Sequence, residues 1–139
     1  MGLVYAEIEL INGGDIEMVS RHLMDKEEVR HMHVTMLVDS GAYMMAINET
    51  MQEILQFRSK GKRKVRMADD STMEFEVVGP IEVKFMNRTA TCNAFVLPGD
   101  SEPLLGVIPM EEMDVVILPL QQKLVVNPDN PDYAVLKMK

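Results

Sequence analysis

The feature that most constrains the fold is an alternation of apolar and polar residues that recurs in short segments along most of the chain. It is clearest in residues 3–11, LVYAEIELI, and in residues 29–38, where methionine and valine alternate with polar residues. A period of two places successive side chains on opposite faces of a β-strand. Asn, Gly, Pro and Asp separate these segments, as tight turns require. The pattern therefore predicts an all-β fold.

Short turns and one or two short helices are expected to join the strands. NGGD at 12–15 predicts a tight turn, so residues 1–24 are expected to form an extra N-terminal hairpin. A short helix is expected at about 49–57, and the basic run RSKGKRK at 58–64 is expected to be a loop. No domain boundary is evident, so residues 1–139 are expected to form one domain, a closed barrel or sandwich of short strands. The later strands are predicted at 43–47, on both sides of a polar tip at 69–71, at 81–86 and 89–97, in VVIL and KLVVN, and more weakly at 133–137.

Composition excludes several classes of function. The formal net charge of -8 disfavours a nucleic-acid partner, which would need a positive surface. No apolar stretch approaches the roughly 20 residues that span a bilayer. The N-terminal residues also lack the pattern of a signal peptide, so no membrane partner is expected. The single cysteine, Cys92, cannot form an internal disulfide. A cytoplasmic protein is expected.

One acidic triplet, Asp39-Ser40-Gly41, lies between two apolar runs in TMLVDSGAYMMAIN. Asp and Ser form side-chain bonds to nearby backbone, and Gly permits unusual backbone angles, so a simple turn is one interpretation. The apolar flanks favour a second interpretation, in which Asp39 is partly desolvated and acts as an acid or base. The residues alone leave both open.

The stretch Leu37-Val38-Asp39-Ser40-Gly41-Ala42 resembles the active-site segment of the retropepsin-like aspartic proteases. RKVRMADDSTMEFEVVGPIEVKF at 63–85 is similar to the flap hairpin of that family and the strands beyond it. PLLGVIPMEEMDVVILPLQQKLVV at 103–126 is similar to the apolar-apolar-Gly segment, short helix and closing strands of single-domain bacterial members. The resemblance covers roughly residues 30–127, with the motifs in the same order.

The resemblance implies an aspartic endopeptidase that hydrolyses a peptide or protein substrate and needs no metal or other cofactor. Such enzymes use two carboxylates that share one proton. Asp70-Ser71 and Asp100-Ser101 do not continue to Gly, so this chain offers one such carboxylate, Asp39. The resemblance then implies a homodimer, in which Asp39 of a second copy supplies the other.

The resemblance also assigns expected roles around the catalytic Asp39. Ser40 would join the two loops across the two-fold axis, and Gly41 would permit the tight turn. The residues expected to support the Asp39 loop from beneath are Leu104, Leu105 and Gly106; those expected to bind substrate are Ala42 in the cleft and Ala68, Asp69, Asp70 and Ser71 at the flap tip.

Two departures from the family pattern leave alternatives open. Asp70 stands where relatives often carry Gly in the flap, and Val107-Ile108 replaces the charged pair that braces retroviral dimers. A second interpretation is therefore a weak or inactive retropepsin-fold module that binds peptides or dimerises. A third is an unrelated β-barrel binding domain.

Other residues suggest different chemistry. His31 and His33 share one strand face with the spacing of metal ligands, but the sequence offers no obvious third ligand, so no metal site is predicted. The basic run at 58–64 is interpreted as a solvated loop. Cys92 is interpreted as a buried thiol rather than a nucleophile, because no histidine is near it in sequence.

Overall fold

The computed structural model describes residues 2–138. None of the helices among these residues is both long and apolar enough to cross a membrane. The strands are β1 (Val4–Asn12), β2 (His31–Val38), β3 (Met45–Asn48), β4 (Arg58–Arg66), β5 (Thr72–Phe85), β6 (Arg88–Leu97), β7 (Leu104–Leu105), β8 (Val115–Leu118) and β9 (Lys123–Val126). The helices are α1 (Gly13–Ser20), α2 (Glu49–Leu55) and α3 (Val107–Met113), with single 3-10 turns at Lys26–Glu28 and Pro119–Gln121.

Six strands close into a barrel in the order β1-β2-β7-β3-β6-β5, and β5 returns to pair with β1. β4 continues the sheet beyond β5, so β4 and the first half of β5 extend from the barrel as a hairpin arm. β8 and β9 form a separate antiparallel pair. The predicted all-β fold is confirmed, and the arm and the end of β2 become the two features that define the candidate site.

The barrel core is built from the inward positions of the alternating strands and from one side of α2 and α3. On β2 the inward residues become more buried towards the end of the strand, where Met36 and Val38 are enclosed. Burial of a side chain of this size contributes about 1.5–3 kcal/mol. The largest fully enclosed side chains include Ile8, Leu10, Met36, Met45, Ile47, Leu55, Ile81, Leu105 and Met113.

The predicted N-terminal hairpin over residues 1–24 is wrong, because the residues after Asn12 form α1. The Asn12 side chain accepts a hydrogen bond from the Asp15 N–H (3.1 Å) and donates to the carbonyl oxygen of Leu55 (2.8 Å). Asn is a strong helix N-cap, and that use of NGGD replaces the tight turn. β1 pairs instead with β2, from Val4 opposite Val38 to Ile11 opposite His31.

The prediction of a loop for the basic run at 58–64 is also wrong, because residues 58–66 form strand β4. The strand is almost wholly exposed and its pairing with β5 shifts between Ser59 and Lys62. Edge strands tolerate charged residues and bulges, which blunt their tendency to pair with other chains. A charged sequence was therefore compatible with a strand at this edge.

The C-terminal segment carries no strand at 133–137, contrary to the weaker prediction. It is held by Asp114, whose carboxylate accepts hydrogen bonds from Asn127 (3.0 Å), Asn130 (2.8 Å) and the Val135 N–H (3.1 Å). The bond from Asn127, with those from Val135 and Asn130, lowers the pKa of the Asp114 carboxyl. Side-chain anchoring thus replaces sheet pairing at this end.

Candidate active site

Asp39 follows β2 directly, at the point where three strands meet. β2 runs parallel to β7, with Leu37 opposite Leu104 and Val38 opposite Leu105. The ladder continues one step past the strand, because the Asp39 N–H donates to the carbonyl oxygen of Leu105 at 3.0 Å. The short apolar stub before Gly106 therefore fixes the main chain of Asp39.

The carboxylate of Asp39 organises its own loop. Asp39 Oδ1 accepts a hydrogen bond from the Gly41 N–H at 2.9 Å. The main-chain carbonyl oxygen of Asp39 accepts another from the Ala42 N–H at 3.1 Å. The Asp39 side chain is half-buried, whereas Ser40 and Gly41 are exposed. The two interpretations of the triplet are thus compatible: the residues form a turn, and the turn presents one carboxylate at the surface.

The two glycines of this region have different surroundings. The positive-φ glycines of residues 2–138 are Gly61 and Gly99, so Gly41 does not use the backbone freedom expected of it. A Cβ on Gly41 would meet the Asp39 Oδ1 at 3.1 Å. A Cβ on Gly106 would lie 2.7 Å from the carbonyl oxygen of Ala42 and closer still to that of Met44. Gly106 is required by a close approach of two main chains, and Gly41 leaves space beside the carboxylate.

Gly106 is also the N-cap residue immediately before α3, whose first turn continues this main-chain contact. The Val107 N–H donates to the Ala42 carbonyl oxygen (2.9 Å), and the Ile108 N–H donates to that of Tyr43 (3.0 Å). Free N–H groups at the start of a helix need partners of this kind. The chain after Asp39 is therefore attached to β7 and α3 by backbone bonds that do not depend on side-chain identity.

One cavity of about 400 Å³ contains Asp39 in its wall. Asp39 is the one ionisable side chain in that lining, and the other walls are mostly apolar. Leu3 beside it is 64% exposed. The sequence alone did not predict that the N-terminal segment or the end of β8 would lie beside Asp39, because both are distant from Asp39 in the chain. The lining residues are Gly2, Leu3, Val4, Leu37, Val38, Asp39, Ser40, Ile117 and Pro119.

The tip of the hairpin arm is a tight, charged turn. The Met67 N–H donates to Ser71 O (2.8 Å), and the Asp70 N–H donates to Met67 O (3.0 Å). Asp70 has φ of 68°, a left-handed conformation that Asp tolerates better than most residues. Asp69 accepts from the Ser71 hydroxyl at 2.5 Å and from its N–H, and these bonds lower the Asp69 pKa.

The tip residues Ala68, Asp69, Asp70 and Ser71 are exposed, and within the described chain the hydrogen bonds of their side chains stay inside the tip. The arm approaches the other side of the Asp39 loop through Arg63, which lines a cavity of about 230 Å³ with Tyr43 and Met44. The structure therefore groups the predicted loop and support residues through backbone bonds, whereas the tip residues line neither of these two cavities.

Cys92 lines the same cavity as Arg63 and Tyr43. Burial, with the negative charge of Glu112, raises the pKa of the Cys92 thiol to about 12. A nucleophilic cysteine requires a thiolate, which a thiol with so high a pKa does not supply near neutral pH. Cys92 is half-buried rather than fully enclosed, and its raised pKa supports the interpretation of an unreactive thiol rather than a nucleophile.

Comparison with known proteins identifies the chain at the level of the family. Residues 27–112 match the family described as gag-polyprotein putative aspartyl protease. The matched range contains β2, the Asp39 loop, the hairpin arm, β7 and most of α3. No curated protein matches the chain. The predicted resemblance to retropepsin-like aspartic proteases is confirmed by the family match and by the barrel.

Proposed function

We propose that this chain, which belongs to the aspartyl protease family whose model it matches, is an aspartic endopeptidase whose active site forms from the Asp39 loops of two copies. The observation that carries the proposal is the carboxylate of Asp39, half-buried beside an apolar cavity and held by the Gly41 N–H. Backbone bonds to Leu105 and from α3 fix its loop. A rigid loop is what a catalytic carboxylate needs.

Two carboxylates at van der Waals distance cannot both ionise. The pair therefore keeps one shared proton at pH values at which a single Asp would be fully charged. The ionised carboxylate takes a proton from water as the water oxygen attacks the scissile carbonyl carbon. The protonated carboxyl gives its proton to the carbonyl oxygen. The tetrahedral intermediate then collapses: the first carboxyl passes the proton it took from water to the amide nitrogen, the C–N bond breaks, and a hydroxyl of the intermediate returns a proton to the second carboxylate. One Asp39 can perform half of this exchange.

The surface around Asp39 supports dimerisation. Leu3, just before β1, and Tyr5 on β1 are exposed, and the cavity that Leu3 lines has mostly apolar walls. Exposed apolar surface next to an incomplete site favours contact with another chain. In a two-fold dimer the same surface meets itself, which brings the two Asp39 loops together. Ser40, exposed at the loop apex, is then the residue closest to the partner loop.

The substrate of such a dimer is an extended peptide. An exposed hairpin arm offers main-chain groups to an extended chain, and side-chain pockets alternate along it. Asp69 and Asp70 add negative charge at the tip, so we propose that acidic residues facing the tip are disfavoured. The cavity lined by Tyr43, Met44 and Arg63 is the candidate pocket for one substrate side chain.

The first experiment compares wild type with Asp39→Asn for cleavage of a mixed peptide library from about pH 4 to 7. The matched control is Asp100→Asn, an exposed Asp that also precedes Ser and lies outside the loop. We expect cleavage by wild type and D100N, strongest in the acidic part of this range, and none by D39N. Cleavage by D39N would overturn the assignment. Absence of cleavage by wild type would contradict the protease proposal and favour a peptide-binding module.

A mixing experiment tests the shared site. Excess D39N added to wild type should reduce total activity, because mixed dimers contain one carboxylate. An equal excess of D100N should increase it. Sedimentation of D39N should still show a dimer. If D39N does not reduce wild-type activity, then the site does not require two copies.

A further inference from the structure

The described part of the chain contains a second cluster of reactive side chains, at the opposite end of β2 from Asp39. His31 and His33 project from the outward face of β2, and Glu9 lies opposite His33 on β1. The sequence supplied the two imidazoles without a third ligand. The pairing of β1 with β2 supplies that ligand, from a residue more than twenty positions earlier in the chain.

The distances within the cluster match those of a metal site. One oxygen, Glu9 Oε2, lies 3.2 Å from His31 Nδ1 and 3.7 Å from His33 Nε2. Ligand atoms of all three residues lie within 4.8 Å of one another. Tetrahedral zinc with bonds of about 2.0–2.1 Å has ligand atoms about 3.3 Å apart. Small rotations of exposed side chains would bring all three onto one ion.

We propose that Glu9, His31 and His33 bind one divalent transition-metal ion, with zinc the best fit. Two imidazoles and one carboxylate are a known zinc ligand set, and imidazole nitrogen favours zinc over magnesium or calcium. Three protein ligands leave a fourth position for water. The site is independent of the protease proposal, since it lies about 25 Å from Asp39 along an extended strand.

The alternative is a surface ion pair between Glu9 and one or both histidines. Exposed pairs of this kind contribute little, about 0–1 kcal/mol, and do not need two imidazoles on one oxygen. Glu9 is the most buried of the three side chains, with 25% exposed, whereas His31 and His33 are 54% and 74% exposed. A half-buried carboxylate whose single oxygen is approached by two imidazoles favours the metal interpretation.

The surroundings of the site are suited to an exchangeable fourth ligand. Glu9 and His31 also line a groove of about 520 Å³ beside α1, whose other walls include Ile11, Ile16 and Val29. Lys84 of β5 lies opposite Glu9 and also lines the groove. A metal at this point would therefore hold its open position next to a mostly apolar groove. It would also link β1 to β2 where β2 begins.

The test is zinc binding by the untagged full chain, measured by isothermal titration calorimetry near neutral pH. We expect one equivalent to bind wild type, and Glu9→Gln, His31→Gln and His33→Gln each to weaken binding by more than about tenfold. The chain offers a matched control in its third histidine, His22, which has φ of 61°. His22→Asn, which tolerates that conformation, should bind zinc as wild type does.

Cobalt provides a readout of geometry, because tetrahedral Co²⁺ gives much stronger visible absorption than octahedral Co²⁺. Wild type and H22N should give the tetrahedral spectrum, and the three ligand variants should not. Zinc should raise the Tm of wild type and H22N only. Unchanged affinity in H33Q or E9Q would overturn the proposal, as would absence of binding to folded wild type at micromolar zinc. Circular dichroism of each variant confirms that a lost site is not a lost fold.

Discussion

The two ends of β2 present functional groups in opposite ways. At its end, Asp39 is positioned almost wholly by main-chain bonds, through Leu105 O and the contacts of α3 with the loop. At its start, the Glu9 cluster is positioned by side chains on two paired strands. The first group is held by main chain but is half of the proposed site, whereas the second has all of its proposed ligands within one chain.

The difference shows how each end tolerates change. A site held by backbone depends on residues that never touch the reacting atoms, such as Gly106. A site held by side chains depends on its own ligands and little else. The start of β2 is nevertheless anchored, because the Asp15 carboxylate binds the Arg30 side chain at 2.7 and 2.8 Å and accepts from the Arg30 N–H at 3.0 Å. Stability measurements at the two ends can therefore separate anchoring from function.

The largest effect is expected for Gly106→Ala. The added Cβ would overlap carbonyl oxygens of Ala42 and Met44, which cannot move without disrupting the bonds from α3 to the loop. Overpacking against main chain should lower the free energy of unfolding by about 3 kcal/mol, measured by urea denaturation. The control is Gly41→Ala, whose Cβ meets a carboxylate oxygen that can rotate. An equal loss in both variants would mean that the loop is not held from beneath.

A somewhat smaller effect is expected for Asp15→Asn at the other end. The Asp15 side chain is 5% exposed, and removal of its charge weakens two charge-assisted bonds from Arg30. A loss of about 2 kcal/mol in the free energy of unfolding is expected at neutral pH. Glu17→Gln, which removes the exposed pair with Arg21, should cost less than about 0.5 kcal/mol.

The Asp15 effect has a defined pH dependence. The bonds from Arg30 lower the pKa of the Asp15 carboxyl in the folded protein. A lowered folded-state pKa means that the stabilisation is complete above the unfolded-state value of about 3.9 and is lost as pH falls through the folded-state value. The difference between wild type and D15N should therefore be constant near neutral pH and disappear in strong acid. A difference that grows as pH falls would contradict this assignment.

The parts of the fold predicted from sequence are those encoded locally. The alternation in residues 29–38 predicted β2 and its inward face, and one contiguous motif predicted the Asp39 loop and, through the family, its proposed role. Local signals failed where a residue could serve two structures. Asn12 can begin a turn or cap a helix, and the bond from its side chain to Leu55 O, distant in sequence, favours the cap.

The parts that could not be predicted depend on strand register. No local pattern in the sequence marks Glu9 as a partner of the histidines. Only the pairing of β1 with β2 places it opposite His33. The N-terminal segment similarly reaches Asp39 only because β1 runs antiparallel to β2, so that Val4 lies opposite Val38. A hairpin predicted within residues 1–24 would have paired β1 with the wrong partner and hidden both relationships.

The smallest effect is expected for Glu9→Gln measured with a chelator present. Without metal the Glu9 carboxylate contacts two exposed imidazoles, and such a pair should contribute less than about 0.5 kcal/mol to the free energy of unfolding. With saturating zinc, wild type should become more stable than E9Q, because a ligand that binds the folded chain stabilises it. The two urea curves, with and without zinc, therefore separate the roles of the cluster. A metal-free loss as large as that of D15N would make Glu9 a structural anchor and contradict its assignment as a metal ligand. A gap that opens only with zinc would instead support an ion that completes this end of β2, as a second chain is proposed to complete the Asp39 end.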